Sequence, residues 1–137
     1  DGYFCDFDRN FSVGAPSDTV RAAHAALVEA VEIAADQARP GQTAAGLLRA
    51  LHRVLARHGT PGGGRMGHGL GLQLTEGLSL LPADDTVLAP GMVITLEPAI
   101  ELGSGRIMVH EENIVIRDGA PEFLSTPAGR DIAVLEG

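Results

Sequence analysis

The sequence has one cysteine, Cys5, so no disulfide can form within the chain, and a reducing, cytoplasmic compartment is expected. It has no apolar run of the length a membrane span needs and no charged-then-apolar opening segment, which argues against a membrane protein and a signal peptide. Basic residues are few and scattered. Ten of them face eighteen acidic ones, for a net charge of −8, so nothing steers the chain towards nucleic acid or an anionic membrane, and neither is expected as a partner. Internal repeats are absent too. What remains, 45% hydrophobic and 20% charged residues in 137 positions, describes a folded globular chain with one domain's worth of core. The chain opens on Asp1 rather than Met, and the segment after it already reads as the middle of a sheet. The expectation is therefore a chain that begins inside a larger protein.

Gly2 to Val13 is rich in aromatic and strand-favouring residues and closes at Gly14 and Pro16, which predicts one bent strand or a tight hairpin. In such a strand Phe4, Asp6 and Asp8 share a face. Ser17 is a natural N-cap, and Val20, Ala23, Leu27, Val31 and Ala34 recur at helical spacing, predicting a helix to about Ala38 before Pro40-Gly41. His24 lies near that stripe and reads as a core or boundary histidine. A second helix is predicted from about Thr43 to His58, with Leu47, Leu48, Leu51, Val54 and Leu55 as its buried face and His52 and His58 away from it. Leu70 to Leu74, Met92 to Ile100, Arg106 to Ile116 and Glu122 to Ser125 read as strands, the third with Ile107, Val109, Glu111, Asn113 and Val115 on one face. No strand–helix–strand alternation appears. The order predicts an α+β fold with two helices packed on a mostly antiparallel sheet.

The stretch that looks built for chemistry is Gly67-His68-Gly69-Leu70-Gly71, because residues without a Cβ let backbone approach whatever the imidazole touches. It comes after a loop, 59–67, with five glycines and one proline. A glycine-rich turn that happens to hold a histidine would look the same. Carboxylates set in apolar segments shift the balance: Asp6 and Asp8 among phenylalanines, Glu97 at the end of an apolar run, and Glu111 inside another. Each has a plainer reading, namely a strand end paired with Arg9, a solvent-facing Glu97, and an exposed Glu111-Glu112 pair. Together they are harder to dismiss, since a carboxylate buried among apolar groups without compensation is costly. One imidazole with several carboxylates suits divalent cations such as Mn²⁺, Fe²⁺, Co²⁺ or Zn²⁺ rather than a thiolate zinc site.

The segments GYFCDFDRNF, GHGLGLQLTE, LAPGMVITLEPAI and VHEENIVIRDG resemble, in order, the motifs of the M24 metallopeptidases, the family of aminopeptidase P, Xaa-Pro dipeptidase, methionine aminopeptidase and creatinase. His68 to Glu97 spans 29 positions and Glu97 to Glu111 spans 14. The resemblance implies the C-terminal part of a pita-bread fold, with residues 1–137 forming a single, N-terminally truncated catalytic domain. It implies Asp6, His68, Glu97 and Glu111 as metal ligands, with Glu97 and His68 catalytic and Glu97 also handling the proton of the attacking water. Two divalent ions are expected in the intact protein, with one or none in this chain if the family's first aspartate lies upstream of Asp1. Asp8 is a candidate replacement for that ligand.

Three positions depart from the pattern of Xaa-Pro peptidases. Thr75 and Gly64 stand where histidines are usual, and Val109 where an arginine is usual. Thr75 is retained as a candidate substrate-binding position. The implied activity is cleavage of a small peptide, of the aminopeptidase P or Xaa-Pro dipeptidase kind, by a metal-activated water in a homodimer. Two alternatives stay open. One is hydrolysis of a small non-peptide amide or amidine, as in creatinase or ectoine hydrolase, or a lyase reaction; the other is a non-catalytic pita-bread binding module.

Overall fold

Two side-chain caps start the two helices. In the computed structural model, which describes residues 2–136, the Ser17 hydroxyl accepts the Val20 N–H at 3.3 Å and the Thr43 hydroxyl accepts the Gly46 N–H at 3.1 Å. Helix α1 (Asp18–Gln37) and helix α2 (Ala44–Leu55) begin directly after them. The second stops short of His58, because the N–H groups of His58 and Gly59 both turn back to the Leu55 carbonyl. The apolar stripes expected on both helices are buried: Leu27, Val31 and Ala34 of α1 share one cluster with Leu47, Leu51 and Val54 of α2. His24 is buried within α1, as its position on the stripe implied.

The strands are short: β1 (Phe11–Val13), β2 (Gly67–Gly69), β3 (Val93–Leu96), β4 (Ala99–Gly103), β5 (Arg106–Val109), β6 (Glu112–Val115), β7 (Glu122–Phe123) and β8 (Ala133–Leu135). Four of them form an antiparallel sheet in the order β2-β3-β6-β7, β4 pairs antiparallel with β5, and β1 pairs parallel with β8. Ile94, Leu96 and Ile114 carry the sheet into the same core as the helices. The architecture is thus α+β, two helices on mostly antiparallel sheet, as the order of elements implied.

Several boundaries differ from expectation, each for a local reason. Only the end of the 2–13 segment is a strand. Residues 2–10 have no ladder and are instead tethered by single bonds, from the Phe4 N–H to the Gly71 carbonyl at 2.8 Å and from the Asn10 amide to the Val109 carbonyl at 2.7 Å. Phe4 and Asp8 are consequently exposed, and the shared face expected for them with Asp6 does not form. The strand near the histidine is Gly67–Gly69 rather than 70–74, because the chain folds back there and the Glu76 N–H bonds to the Gly69 carbonyl at 2.9 Å. The run 92–100 is divided between two sheets at Pro98, which has no N–H to give a ladder. Residues 106–116 are likewise divided at His110 and Glu111, so Ile107 is exposed while Asn113 is buried, and they do not form one continuous face. Among the described residues no helix is long and apolar enough to cross a membrane.

Candidate metal centre

The register of the four-stranded sheet sets His68 of β2 opposite Thr95 of β3, and Thr95 opposite Asn113 of β6. Cross-strand partners share a face, so three polar residues form one row across otherwise apolar strands. All three are buried. Two members of the row, Asn113 at its end and Thr95 at its centre, each hold a candidate ligand in place. The Asn113 side chain donates to the Asp6 carbonyl at 2.7 Å and accepts the Asp6 N–H at 3.3 Å, docking the 2–10 segment against β6. The Thr95 hydroxyl donates to Glu111 Oε1 at 2.8 Å. Glu97 comes directly after β3, its N–H bonded to the Met66 carbonyl at 3.0 Å, and Glu111 immediately precedes β6.

The result is a cluster in which Asp6, His68, Glu97 and Glu111 each offer one ligand atom, all within 4.8 Å of one another. His68 Nε2 lies 3.6 Å from Asp6 Oδ2 and 3.8 Å from Glu97 Oε2. His68 Nδ1 lies 3.0 Å from the Gly69 carbonyl oxygen, which can only accept, so the ring carries its proton there. In the neutral ring the Nε2 lone pair then faces carboxylate oxygens, an arrangement that invites a cation between them. Glu111 shares these acidic surroundings. Burial pushes its carboxyl up to about 8 from an ordinary 4.5, with Glu97 and Asp6 adding to the rise and the Thr95 hydroxyl opposing it. Oxygen donors, one imidazole and no thiolate fit a hard or borderline divalent ion.

The glycines of the motif are required by close packing. A Cβ on Gly67 would run into the Thr95 carbonyl oxygen and the Leu80 side chain, and one on Gly69 into the Glu76 carbonyl oxygen.

Of the expected site residues, Asp8 and Thr75 stand apart. Both are exposed and neither belongs to the group of four. Other residues were not anticipated. Thr95 and Asn113 were visible only as polar interruptions in apolar runs. Arg65 places Nε 3.1 Å from Glu97 Oε1. The plainer alternative of an exposed Glu111-Glu112 pair does not hold: Glu112 is fully buried, 2.9 Å from Arg9 Nη2. Burial opposes ionisation of Glu112, but His110, the Ala128 N–H and Arg9 outweigh it and hold its carboxyl below the ordinary range. A cavity of about 450 Å³ lies beside the glycine motif, lined by Gly69, Leu70, Gly71, Met92, Val93 and Ile94 among others, and none of the four cluster residues lines it.

With this geometry in hand, the comparisons with known proteins are specific. Residues 1–118 match the metallopeptidase family M24. The Xaa-Pro dipeptidase of Lactobacillus delbrueckii subsp. lactis is 30% identical over 129 residues, 92% of this chain and 35% of that protein. An X-Pro aminopeptidase structure from Thermotoga maritima superposes with a TM-score of 0.88 at 32% identity, covering 98% of this chain and 38% of that one. The Xaa-Pro dipeptidase structure from Bacillus anthracis gives 0.89 at 28% identity, again covering 98% and 38%. The fold is that of the pita-bread proteins, and the chain spans a little over a third of the length of these relatives.

Proposed function

The chain belongs to the metallopeptidase family M24, and on that premise we propose that it carries the metal-binding part of a divalent-metal-dependent hydrolase that cleaves small Xaa-Pro peptides, of the aminopeptidase P or Xaa-Pro dipeptidase kind. The observation that carries this reading is the convergence of Asp6, His68, Glu97 and Glu111, drawn from four separate stretches of sequence, with ligand atoms within 4.8 Å. The chemistry of the donor set supports two ions of the Mn²⁺, Co²⁺, Fe²⁺ or Zn²⁺ class in the intact protein. Ions bound there supply Lewis acidity, polarising a carbonyl and making a nearby water acidic.

The residues of the chain divide the remaining work by exposure. His68 and Glu111 are buried and hold fixed positions through Gly69 and Thr95, which suits pure ligands. Asp6 and Glu97 are only partly buried, so substrate and water approach from their side. Glu97 Oε2 faces the cluster while its Oε1 is held by Arg65, which fixes this carboxylate where it can take the proton of the attacking water and return it to the leaving nitrogen. The one hydrophobic cluster found among the described residues supports reading residues 1–137 as part of one catalytic domain. Exposed Tyr3, Phe4, Phe7 and Phe11 support a homodimer, and the exposed free thiol of Cys5 supports a reducing, cytoplasmic setting.

Gly64, Val109 and an exposed Thr75, at positions where Xaa-Pro peptidases usually carry His, Arg and His, favour a second reading as a hydrolase of small non-peptide amides. One assay separates the two. Metal-loaded protein is incubated with Xaa-Pro dipeptides, with creatine and with ectoine, before and after chelation. Chelator-sensitive release of free proline supports the peptidase. Turnover of creatine or ectoine alone supports the second reading, and no turnover of any contradicts both.

A further inference from the structure

Arg65 differs from the other paired arginines of the chain. Arg21, Arg39, Arg57, Arg117 and Arg130 each direct a terminal nitrogen at a surface carboxylate, and both terminal nitrogens of Arg9 are engaged around Glu112. Arg65 uses only Nε, on Glu97 Oε1 at 3.1 Å. Among the described residues neither of its terminal nitrogens has a hydrogen-bond partner. Its side chain is 36% exposed, so the open end of the guanidinium fork faces solvent beside the cluster.

The backbone around it explains why it stays there. Gly62 is fixed on β4: its N–H bonds to the Ala99 carbonyl at 2.7 Å, and a Cβ at that position would lie 2.6 Å from the Ala99 Cβ. Met66, on the other side, is buried and accepts the Glu97 N–H. Between these anchors Gly63 and Gly64 are exposed, and Gly64 has a φ of +94° that favours glycine. Arg65 therefore sits on a short, adaptable span anchored on either side, with its Nε on Glu97.

We propose that Arg65 is a specificity-determining residue, whose free terminal nitrogens bind the C-terminal carboxylate of a dipeptide substrate. This rests on the peptidase reading above and sharpens it from small peptides to those with a carboxylate one residue past the scissile bond. Planar, two-pronged donation is what a guanidinium offers a carboxylate. Reach sets the length preference. A carboxylate one residue beyond a carbonyl held at the cluster stands about one Cα–Cα step, ~3.8 Å, from it, and each added residue carries it about as far again, beyond a side chain already bonded to Glu97. Val109 and Thr75 supply no competing positive charge.

The test compares wild type, Arg65→Ala and Arg65→Lys on an Xaa-Pro dipeptide and on the same dipeptide as its C-terminal amide. Calorimetry with L-proline and L-prolinamide gives a readout that needs no turnover. Expected for Arg65→Ala is a fall of about tenfold or more in the preference for acid over amide, carried by KM, together with weaker L-proline binding. Arg65→Lys should retain part of both. An equal loss on acid and amide, or no change on either, would overturn the proposal by reducing Arg65 to a support for Glu97. If wild type cleaves no peptide, the peptidase reading fails separately, while loss of L-proline binding in Arg65→Ala alone would still support the carboxylate site.

Discussion

Arg9 and Glu112 form an ion pair at 2.9 Å in which the carboxylate is completely enclosed and the guanidinium keeps only a little solvent. The pair does more than neutralise a buried charge. Arg9 Nη1 also donates to the Glu111 carbonyl at 3.1 Å, and Nη2 to the Thr126 carbonyl at 3.0 Å, so one side chain ties the segment holding Asp6 to the strand start holding Glu111.

Removing Arg9 should therefore strip the buried Glu112 carboxylate of its guanidinium and leave His110, the Ser125 hydroxyl and the Ala128 N–H to hold its charge. Arg9→Met is expected to cost about 3 kcal/mol, the low end for breaking a buried pair because Arg9 retains some exposure. Urea unfolding measures it. The double variant Arg9→Met/Glu112→Gln should lose less than the sum of the single variants, and full additivity would mean that the pair is not coupled.

Stability of the metal-free chain should depend on pH through Glu111. Its folded value of about 8 exceeds the ordinary 4.5, so between those values the folded state keeps a proton that the unfolded chain has released. The unfolded state then binds fewer protons, and stability falls as pH rises across that window, levelling off above it. Urea midpoints taken in the presence of a chelator should show this slope, and Glu111→Gln should flatten it. A divalent ion, which needs the ionised form, should restore stability most at the upper end.

Thr95→Val keeps shape but removes the hydroxyl that donates to Glu111 Oε1. Loss of a bond that orients a ligand is expected to weaken divalent-ion binding by about 10–100-fold. Titration calorimetry checks this, with circular dichroism to show that the fold persists. Unchanged affinity would mean that Thr95 has no part in orienting Glu111.

Much of this was legible in the sequence because it was written locally. Ser17 and Thr43 announced the helices, their apolar stripes announced the core, and a histidine among glycines with carboxylates in apolar runs announced the cluster. What was not legible depended on pairing. Residues 92–100 and 106–116 each read as one strand, because an apolar run does not show that Pro98 or the His110-Glu111 step hands the chain to another sheet. Ala133–Leu135 carries no alternation of buried and exposed positions, being exposed throughout, and so gave no strand signal. Glu112 looked like a surface residue, since its partner Arg9 is 103 positions away and only the fold brings them together. Thr95 and Asn113 acquire their roles from the register across β2, β3 and β6, which neither strand encodes alone.

The central claim is that Asp6, His68, Glu97 and Glu111 are gathered to hold divalent cations. It is tested most directly by calorimetric titration of Mn²⁺ and Co²⁺ into wild type, His68→Ala and the control Asp8→Asn, whose carboxylate is exposed and lies outside the cluster. Saturable binding to wild type and Asp8→Asn that is lost in folded His68→Ala is the predicted result; binding that survives loss of the imidazole, or is absent from wild type, would contradict it.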